Sequence, residues 1–303
     1  MVKLGDRGPE VSRAQKLLSL LGYDLIVDGD FGKRTARSLK AFQKKYGLVI
    51  DGIAGPNTFI ALEAAQKRTS KEEKAPSNGK DYGDLEVEKM YHLDPAQYIR
   101  QKHKKTQIFI HYTAGGPSAK NVIKYWDGNA TRVATAYVIH GRDSNPDKDG
   151  LVHECHNPDH WGFHLGIKGT NGRLDKVSVG IEVCAWGRLD KVGDTYKTYV
   201  KTTVPEDEVI ELDEKWRGNK FYHTYSEKQL ENLEKLLLWI IKEYDIPVQE
   251  SFDKSWAEYN PDVIKKTLPG IWTHTTVRKD KQDTHPDPRI FEMLNRISRK
   301  VNG

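Results

Sequence analysis

Apolar residues recur at helical spacing near the N-terminus and as short β-rich runs further on, so the chain reads as two kinds of structure in series. Val11, Ala14, Leu17, Leu18 and Leu21 follow Gly8-Pro9 at helical intervals and predict a first helix. Leu39, Phe42 and Tyr46 predict a second, ended by Gly47, and Phe59, Leu62 and Ala65 a short third with Pro56 in its first turn. Beyond them, Ile108 to His111, Ala136 to His140 and Val177 to Ala185 read as strands. A long helix is predicted from Ser226 to Tyr244. Its buried stripe is Leu230, Leu233, Leu237, Ile240 and Tyr244, and Ser226 with Gln229 forms a capping box. A last helix after Asp287-Pro288 buries Ile290, Phe291, Leu294, Ile297 and Val301. The expected fold is a small all-α three-helix N-terminal domain, then an α/β (α+β) domain whose mixed sheet is flanked by helices. The charged, turn-rich stretch from Gly187 to Tyr222 reads as an insertion.

From Lys67 to Gly83 apolar residues nearly vanish and Pro, Gly, Ser and charge take over, which predicts a linker. The division is therefore 1–66, 67–84 and 85–303. Within the first part, Asp28-Gly29-Asp30-Phe31-Gly32-Lys33-Arg34-Thr35 is echoed by Asp51-Gly52-Ile53-Ala54-Gly55-Pro56-Asn57-Thr58. Each copy is D-G-x-x-G-x-x-T running into a helix, with glycines that supply tight-loop conformations. A three-helix unit of this size has a small core and suits an accessory module.

Composition narrows the class. Of 303 residues, 37% are hydrophobic and 30% charged, which suits a soluble protein with an ordinary core. The longest apolar run, Leu236 to Ile241, is far too short to cross a bilayer, so no membrane insertion is expected. Two cysteines exclude a disulfide framework, and Cys184 is expected to be buried and inert. The net charge of +5 comes without a dense Lys/Arg tract, a basic helix or an aromatic-basic motif, so nucleic acid is not an expected partner. The first residues lack the apolar core of a signal peptide, so action outside the cytoplasm implies release by another route.

Five residues carry the candidate chemistry. His111 ends the first strand just before the turn Thr113-Ala114-Gly115-Gly116, Glu182 lies in Gly180-Ile181-Glu182, and His274 follows Gly270-Ile271-Trp272-Thr273. Lys281 and Asp283 sit in Lys281-Gln282-Asp283-Thr284-His285-Pro286. A catalytic zinc takes about three N, O or S ligands and keeps one position open, and two imidazoles with one carboxylate meet that need. Taken singly, each of the five has an ordinary structural explanation; only the ordered set points to a metal. His285 is an alternative third ligand to Asp283. His153, Cys155, His156 and His160 do not match a structural zinc spacing, and the histidines read as groove or surface residues.

The N-terminal residues Arg7-Gly8-Pro9-Glu10-Val11, Gln15-x-x-Leu18, Gly22-Tyr23, the two D-G-x-x-G loops and Phe42-Gln43 resemble the peptidoglycan-binding domain found beside cell-wall hydrolases. From about His103 onward the chain resembles zinc-dependent N-acetylmuramoyl-L-alanine amidases of the phage-endolysin type, related in fold to peptidoglycan-recognition proteins. The resemblance runs through Ile110-His111-Tyr112-Thr113-Ala114, Ala136-Tyr137-Val138-Ile139, Trp161-Gly162-Phe163-His164-Leu165-Gly166, Val179-Gly180-Ile181-Glu182 and Lys281-Gln282-Asp283 before Pro286. It implies zinc held by His111, His274 and Asp283, Glu182 as general base, Lys281 steadying the oxyanion, and Thr113, Trp161 and His164 bordering the substrate. Two departures stand out. Thr284-His285 replaces the usual Pro-Gly, and the second strand lacks a tyrosine that assists catalysis in some relatives, which puts more weight on Glu182. The implied reaction is hydrolysis of the bond between the muramoyl lactyl group and L-alanine of peptidoglycan. It would be carried out by a monomer made in a host cytoplasm and released to the wall. Two rivals stay open: a recognition protein that holds muropeptide without cutting it, and a zinc peptidase acting within the stem peptide.

Overall fold

A computed structural model describes the chain apart from residues 22, 24, 74–79, 90, 91 and 129–131, with side chains also set aside at 67–73. Gly22 of the Gly22-Tyr23 motif and the middle of the expected linker lie outside the described residues. The three N-terminal helices are α1 (Pro9–Leu20), α2 (Lys33–Lys45) and α3 (Pro56–Glu73), so α3 runs on into the stretch read as linker. Their facing stripes form one core from Val11, Ala14, Leu18, Leu39, Phe42 and Leu62.

The two echoed loops share one construction. Gln15 donates from Nε2 to Asp28 Oδ1 at 2.8 Å and to the Asp30 carbonyl at 2.9 Å, and its Oε1 accepts from the Gly29 amide at 2.9 Å. Gln43 repeats this with Asp51 Oδ1 (2.8 Å), the Ile53 carbonyl (3.1 Å) and the Gly52 amide (2.9 Å). Gly29 and Gly52 both take φ +74°, and a Cβ on Gly52 would stand 2.7 Å from the Lys40 side chain. The glycines are thus required by backbone conformation, while the Lys40 side chain could swing aside.

The second region is built on a six-stranded sheet. Its strands are β1 (Val87–Glu88), β2 (Gln107–Tyr112), β3 (Tyr137–Ile139), β4 (Val152–Glu154), β5 (Ser178–Val183) and β11 (Gly270–Thr273), in the order β1-β4-β3-β5-β2-β11. Neighbours run parallel except β3 and β4. Every residue of β2 is buried, which explains a continuous apolar run where a half-exposed strand would alternate. On one face the long helix α6 (Glu227–Tyr244) and α9 (Pro288–Asn302) press Leu233, Leu237, Ile240, Ile290, Leu294 and Ile297 against Ile108 and Ile110. Ser226 and Gln229 close the capping box that starts α6. The opposite face, with α5 (Arg173–Val177), α7 (Pro261–Lys266) and α8 (His274–Val277), packs Phe109 with Leu165, Leu174, Val263 and Val277. Helix α4 (Ala119–Asp127) adds Ile123 and Trp126 beside Val138, Cys155 and Cys184. Tyr82 and Leu85 already belong to the main core, and Lys80 pairs with Glu243 at 2.7 Å.

The stretch read as an insertion is a second sheet. Strands β6 (Arg188–Val192), β7 (Thr195–Lys197), β8 (Thr203–Val204), β9 (Val209–Trp216) and β10 (Asn219–His223) pair antiparallel in the order β8-β7-β6-β10-β9. Leu189, Tyr196 and Val204 form one small core of it, and Leu212, Trp216 and Tyr222 another. Among the described residues no helix is long and apolar enough to cross a membrane.

Candidate metal centre

Three segments deliver the donors. The buried strand β2 holds His111 rigidly beside β5, in register with Glu182. Thr273 ends β11 and caps α8 through a capping box with Thr276, so His274 is the first residue of that short helix. Asp283 comes from the loop before α9. Its carbonyl accepts from the Thr275 amide at 3.1 Å, and the neighbouring Thr284 hydroxyl donates to the Ile110 carbonyl at 3.2 Å.

The donor atoms converge. His111 Nδ1 and His274 Nδ1 are 3.2 Å apart, and Asp283 Oδ2 lies 2.9 Å from the first and 3.0 Å from the second. These three side chains are the candidate cation-holding group among the described residues. Their outer partners decide where the protons are. His274 Nε2 faces the Leu165 carbonyl at 2.9 Å, and a carbonyl only accepts, so Nε2 carries a proton. His111 Nε2 meets His164 Nδ1 at 3.0 Å, and His164 Nε2 meets Ser178 Oγ at 2.9 Å. Ser178 Oγ is within 3.5 Å of the Asp175 carbonyl and donates there, which leaves it an acceptor toward His164. The proton of His111 is then on Nε2.

Burial pushes His111 down to about 4 and His164 well below the usual imidazole range, so these rings are neutral at pH 7. Burial alone would raise Asp283, but the two imidazoles beside it override that and hold its carboxyl well below the carboxylate range. Around a cation, the two Nδ1 atoms and the ionised carboxylate of Asp283 would face one point as electron-pair donors. Two imidazoles, each oriented by an outer hydrogen bond, plus one carboxylate are a donor set that fits zinc.

Glu182 stands beside this trio. Its Oε2 is buried with no hydrogen-bond partner among the described residues, and burial, reinforced by Asp283, pushes its pKa well above the ordinary carboxyl value while Lys281 pulls the other way. Lys281 is half-buried on the Asp283 loop, and its charge is felt by both His111 and Glu182.

The remaining expectations fare differently. His285 lies outside the trio, fully buried between the rings of Tyr222 (4.8 Å) and Tyr225 (5.1 Å), both nearly parallel to it. Trp161, expected to border the substrate, is 1% exposed, covered by Phe163 and the Lys176 ammonium, so its ring has no free face. His164 is likewise a partner behind His111 and not a groove residue. Thr113 is half-buried, with its hydroxyl shared between the Ala185 carbonyl and amide. His153 and His156 are buried, and His156 and His160 stack on Tyr98, so the reading of these histidines as groove or surface residues is corrected to packing. Tyr137, on the second strand, turns away to bond Tyr82 at 2.9 Å. The outer partner Ser178 carried no sequence signal, because what it offers His164 is a hydroxyl brought in from another segment.

Comparison with known proteins adds the following. The N-acetylmuramoyl-L-alanine amidase family model matches residues 101–289, and a peptidoglycan binding domain model matches residues 7–62. No curated protein matches. Among solved structures, a peptidoglycan-binding protein from Clostridioides difficile in complex with glutamine hydroxamate is 44% identical over 22% of this chain and 43% of its own, with a TM-score of 0.22. A Burkholderia AP3 phage endolysin is 46% identical over 21% of this chain and 24% of its own, with a TM-score of 0.21. The structure of PlyL is 14% identical over 71% of this chain and 97% of its own, with a TM-score of 0.41. The chain therefore spans less than half the length of the first two.

Proposed function

The chain belongs to the N-acetylmuramoyl-L-alanine amidase family, and from that premise we propose that it hydrolyses the amide between the lactyl group of N-acetylmuramic acid and L-alanine in bacterial peptidoglycan. The observation that carries the reading is the convergence of two imidazole Nδ1 atoms and a carboxylate next to the buried Oε2 of Glu182. His111, His274 and Asp283 would hold zinc, which supplies Lewis-acid polarisation of the amide carbonyl and lowers the pKa of a water to about 7.

The protein's own residues do the rest. Glu182 takes the proton of the attacking water and returns it to the leaving amine. Positive charge at the trio favours its ionised form, which burial otherwise opposes. The Lys281 ammonium offsets negative charge as it builds on the amide oxygen. His164 and the Leu165 carbonyl keep the two imidazoles in one tautomer and one orientation. Residues 1–66 would hold the chain on the wall and 85–303 would cut, joined by 67–84, which begins as the end of α3 and closes on the main core at Tyr82. We place the protein as a monomeric lysin that reaches peptidoglycan from a host cytoplasm and does not act on nucleic acid.

Product analysis tests this. Purified sacculi treated with the chain should gain L-alanine amino termini and no new reducing sugars. A strong chelator should stop the reaction, and added zinc should restore it. New reducing ends, or an intact lactyl amide beside freshly cut stem peptides, would replace the assignment with a glycosidase or a peptidase. Zinc uptake without any cleavage would leave a recognition protein. Cells expressing the chain should keep growing until their membrane is permeabilised; lysis without that step would remove the release route from the proposal.

A further inference from the structure

The second sheet meets the candidate metal centre at only a few side chains, and their placement is specific. We propose that this sheet is a brace for the loop that delivers Asp283, with Arg217 as its positioning residue; the inference rests on the zinc reading above.

Residues 279–287 contain no helix or strand before α9 begins. A ligand carried on such a loop needs outside support, because metal affinity depends on holding each donor close to its bonding position. Arg217 sits in the turn between β9 and β10 with φ +47° and donates from Nη1 to the carbonyls of Lys279 (2.6 Å) and Lys281. These are charge-assisted bonds to backbone just upstream of the ligand. Just downstream, His285 is packed face to face on Tyr222 of β10. The hairpin therefore grips the loop on both sides of Asp283.

The hairpin is itself anchored. Tyr222 donates its hydroxyl to the Trp216 carbonyl at 2.7 Å, tying the turn to its own strand. Trp216 donates from Nε1 to Glu258 at 3.0 Å, fixing the strand end to the main domain, and the Arg217 guanidinium lies 5.0 Å over the Trp216 ring. Further ties of the loop, from the Thr275 amide and to the Ile110 carbonyl, come from the main domain. Asp283 is thus held between two sheets, and Arg217 is the charged contact on the added side.

The test uses the full chain with Arg217→Met, which keeps a stem over Trp216 and removes the donors, and Arg217→Lys, which restores a cation. Zinc affinity is measured by competition with a chromogenic chelator, and backbone hydrogen exchange is followed at Thr275 in metal-free protein, because that amide reports the Asp283 carbonyl. Arg217→Met should weaken zinc binding by about 10- to 100-fold and speed Thr275 exchange, with Arg217→Lys recovering part of both. Lys220→Ala, which removes an exposed pair with Glu211 on the same sheet, should change neither. The brace is overturned if Arg217→Met matches the parent in both readouts, or if Lys220→Ala lowers zinc affinity as much. If the parent takes up no zinc while Arg217→Met still speeds Thr275 exchange, the brace stands and the zinc reading falls.

Discussion

The glutamine clasps of the N-terminal loops and the His-His-Asp trio of the main domain are both polar groups taken out of water, and they handle it in opposite ways. In the clasps every hydrogen finds an oxygen. Gln15 and Gln43 each bond one aspartate oxygen, a carbonyl and a glycine amide, so both ends of each side-chain amide are engaged. In the trio the outer nitrogens face Leu165 and His164, so Nδ1 of each ring and the Asp283 carboxylate are turned inward, where a cation would take them as electron-pair donors. The first arrangement stabilises a fold by itself. The second costs free energy until a cation arrives, because buried unsatisfied polar groups are expensive. In these two places it is saturation, more than burial, that separates a structural polar cluster from a candidate site. It also means that the repeated D-G loops, although they mark the N-terminal unit, are turn chemistry in the positions seen here.

The sharpest way to break the contrast is at Glu182, the unpartnered carboxylate on the unsaturated side. Glu182→Gln keeps the shape and removes the base. Turnover on sacculi should fall about 10²- to 10⁴-fold while zinc affinity stays near that of the parent. A variant that still cuts within about tenfold of the parent rate would remove Glu182 from the proton-transfer role and weaken saturation as a criterion.

Much of this was readable before any coordinates. The β2 run, the α6 stripe and the α9 stripe are strongly periodic or continuous, because each is buried along a whole face, and that burial leaves its mark locally. His111 and His274 each follow a recognisable strand pattern, and Asp283 joined them through the resemblance that Lys281-Gln282-Asp283 before Pro286 carries. The second sheet could not be read. Its strands are short and charged, as in Arg188-Leu189-Asp190-Lys191-Val192, where only Leu189 is buried, so two-residue periodicity is nearly absent. Trp161 misled for another reason: its accessibility is set by Phe163 and Lys176, and nothing in a local motif encodes that cover. Lys105 carries no sequence signal either. It is buried, with its ammonium on the carbonyls of His160 (2.8 Å), Lys176 (3.0 Å) and Ser178 (3.1 Å), an arrangement assembled from three distant segments. Burial pushes it down to about 7, yet three acceptors match the three protons of the charged form, and the geometry favours that form.

The saturated side of the comparison is probed by Gln43→Leu, which keeps the volume and leaves the Gly52 amide and the Ile53 carbonyl without their partner. A loss of about 1–3 kcal/mol in the stability of the N-terminal unit is expected, read from denaturant unfolding. Cleavage of a soluble muramoyl-peptide should be unchanged, since the clasp takes no part in the chemistry. If the variant unfolds at the parent's denaturant midpoint, the clasp is decoration and the echoed loops need another reason.

The smallest effect concerns a cluster that is saturated through charge. Asp159 accepts from Tyr244 at 2.8 Å, Lys102 at 3.0 Å and Lys80 at 3.1 Å. Burial alone would raise its pKa, but these partners together hold it well below the carboxylate range. A carboxyl depressed in the folded state contributes stability that is fully present above its unfolded pKa of about 3.9 and fades as pH falls toward its folded value. The melting temperatures of the parent and of Asp159→Asn should therefore differ most between about pH 5 and 7, and converge as acid is added below about pH 4. The gap should be modest, because Lys102 is 70% exposed and water screens its share. A gap that stays constant through the acid range would mean that hydrogen-bond geometry, and not charge, is what Asp159 supplies. The cluster would then behave like the glutamine clasps, whose contribution does not depend on a proton.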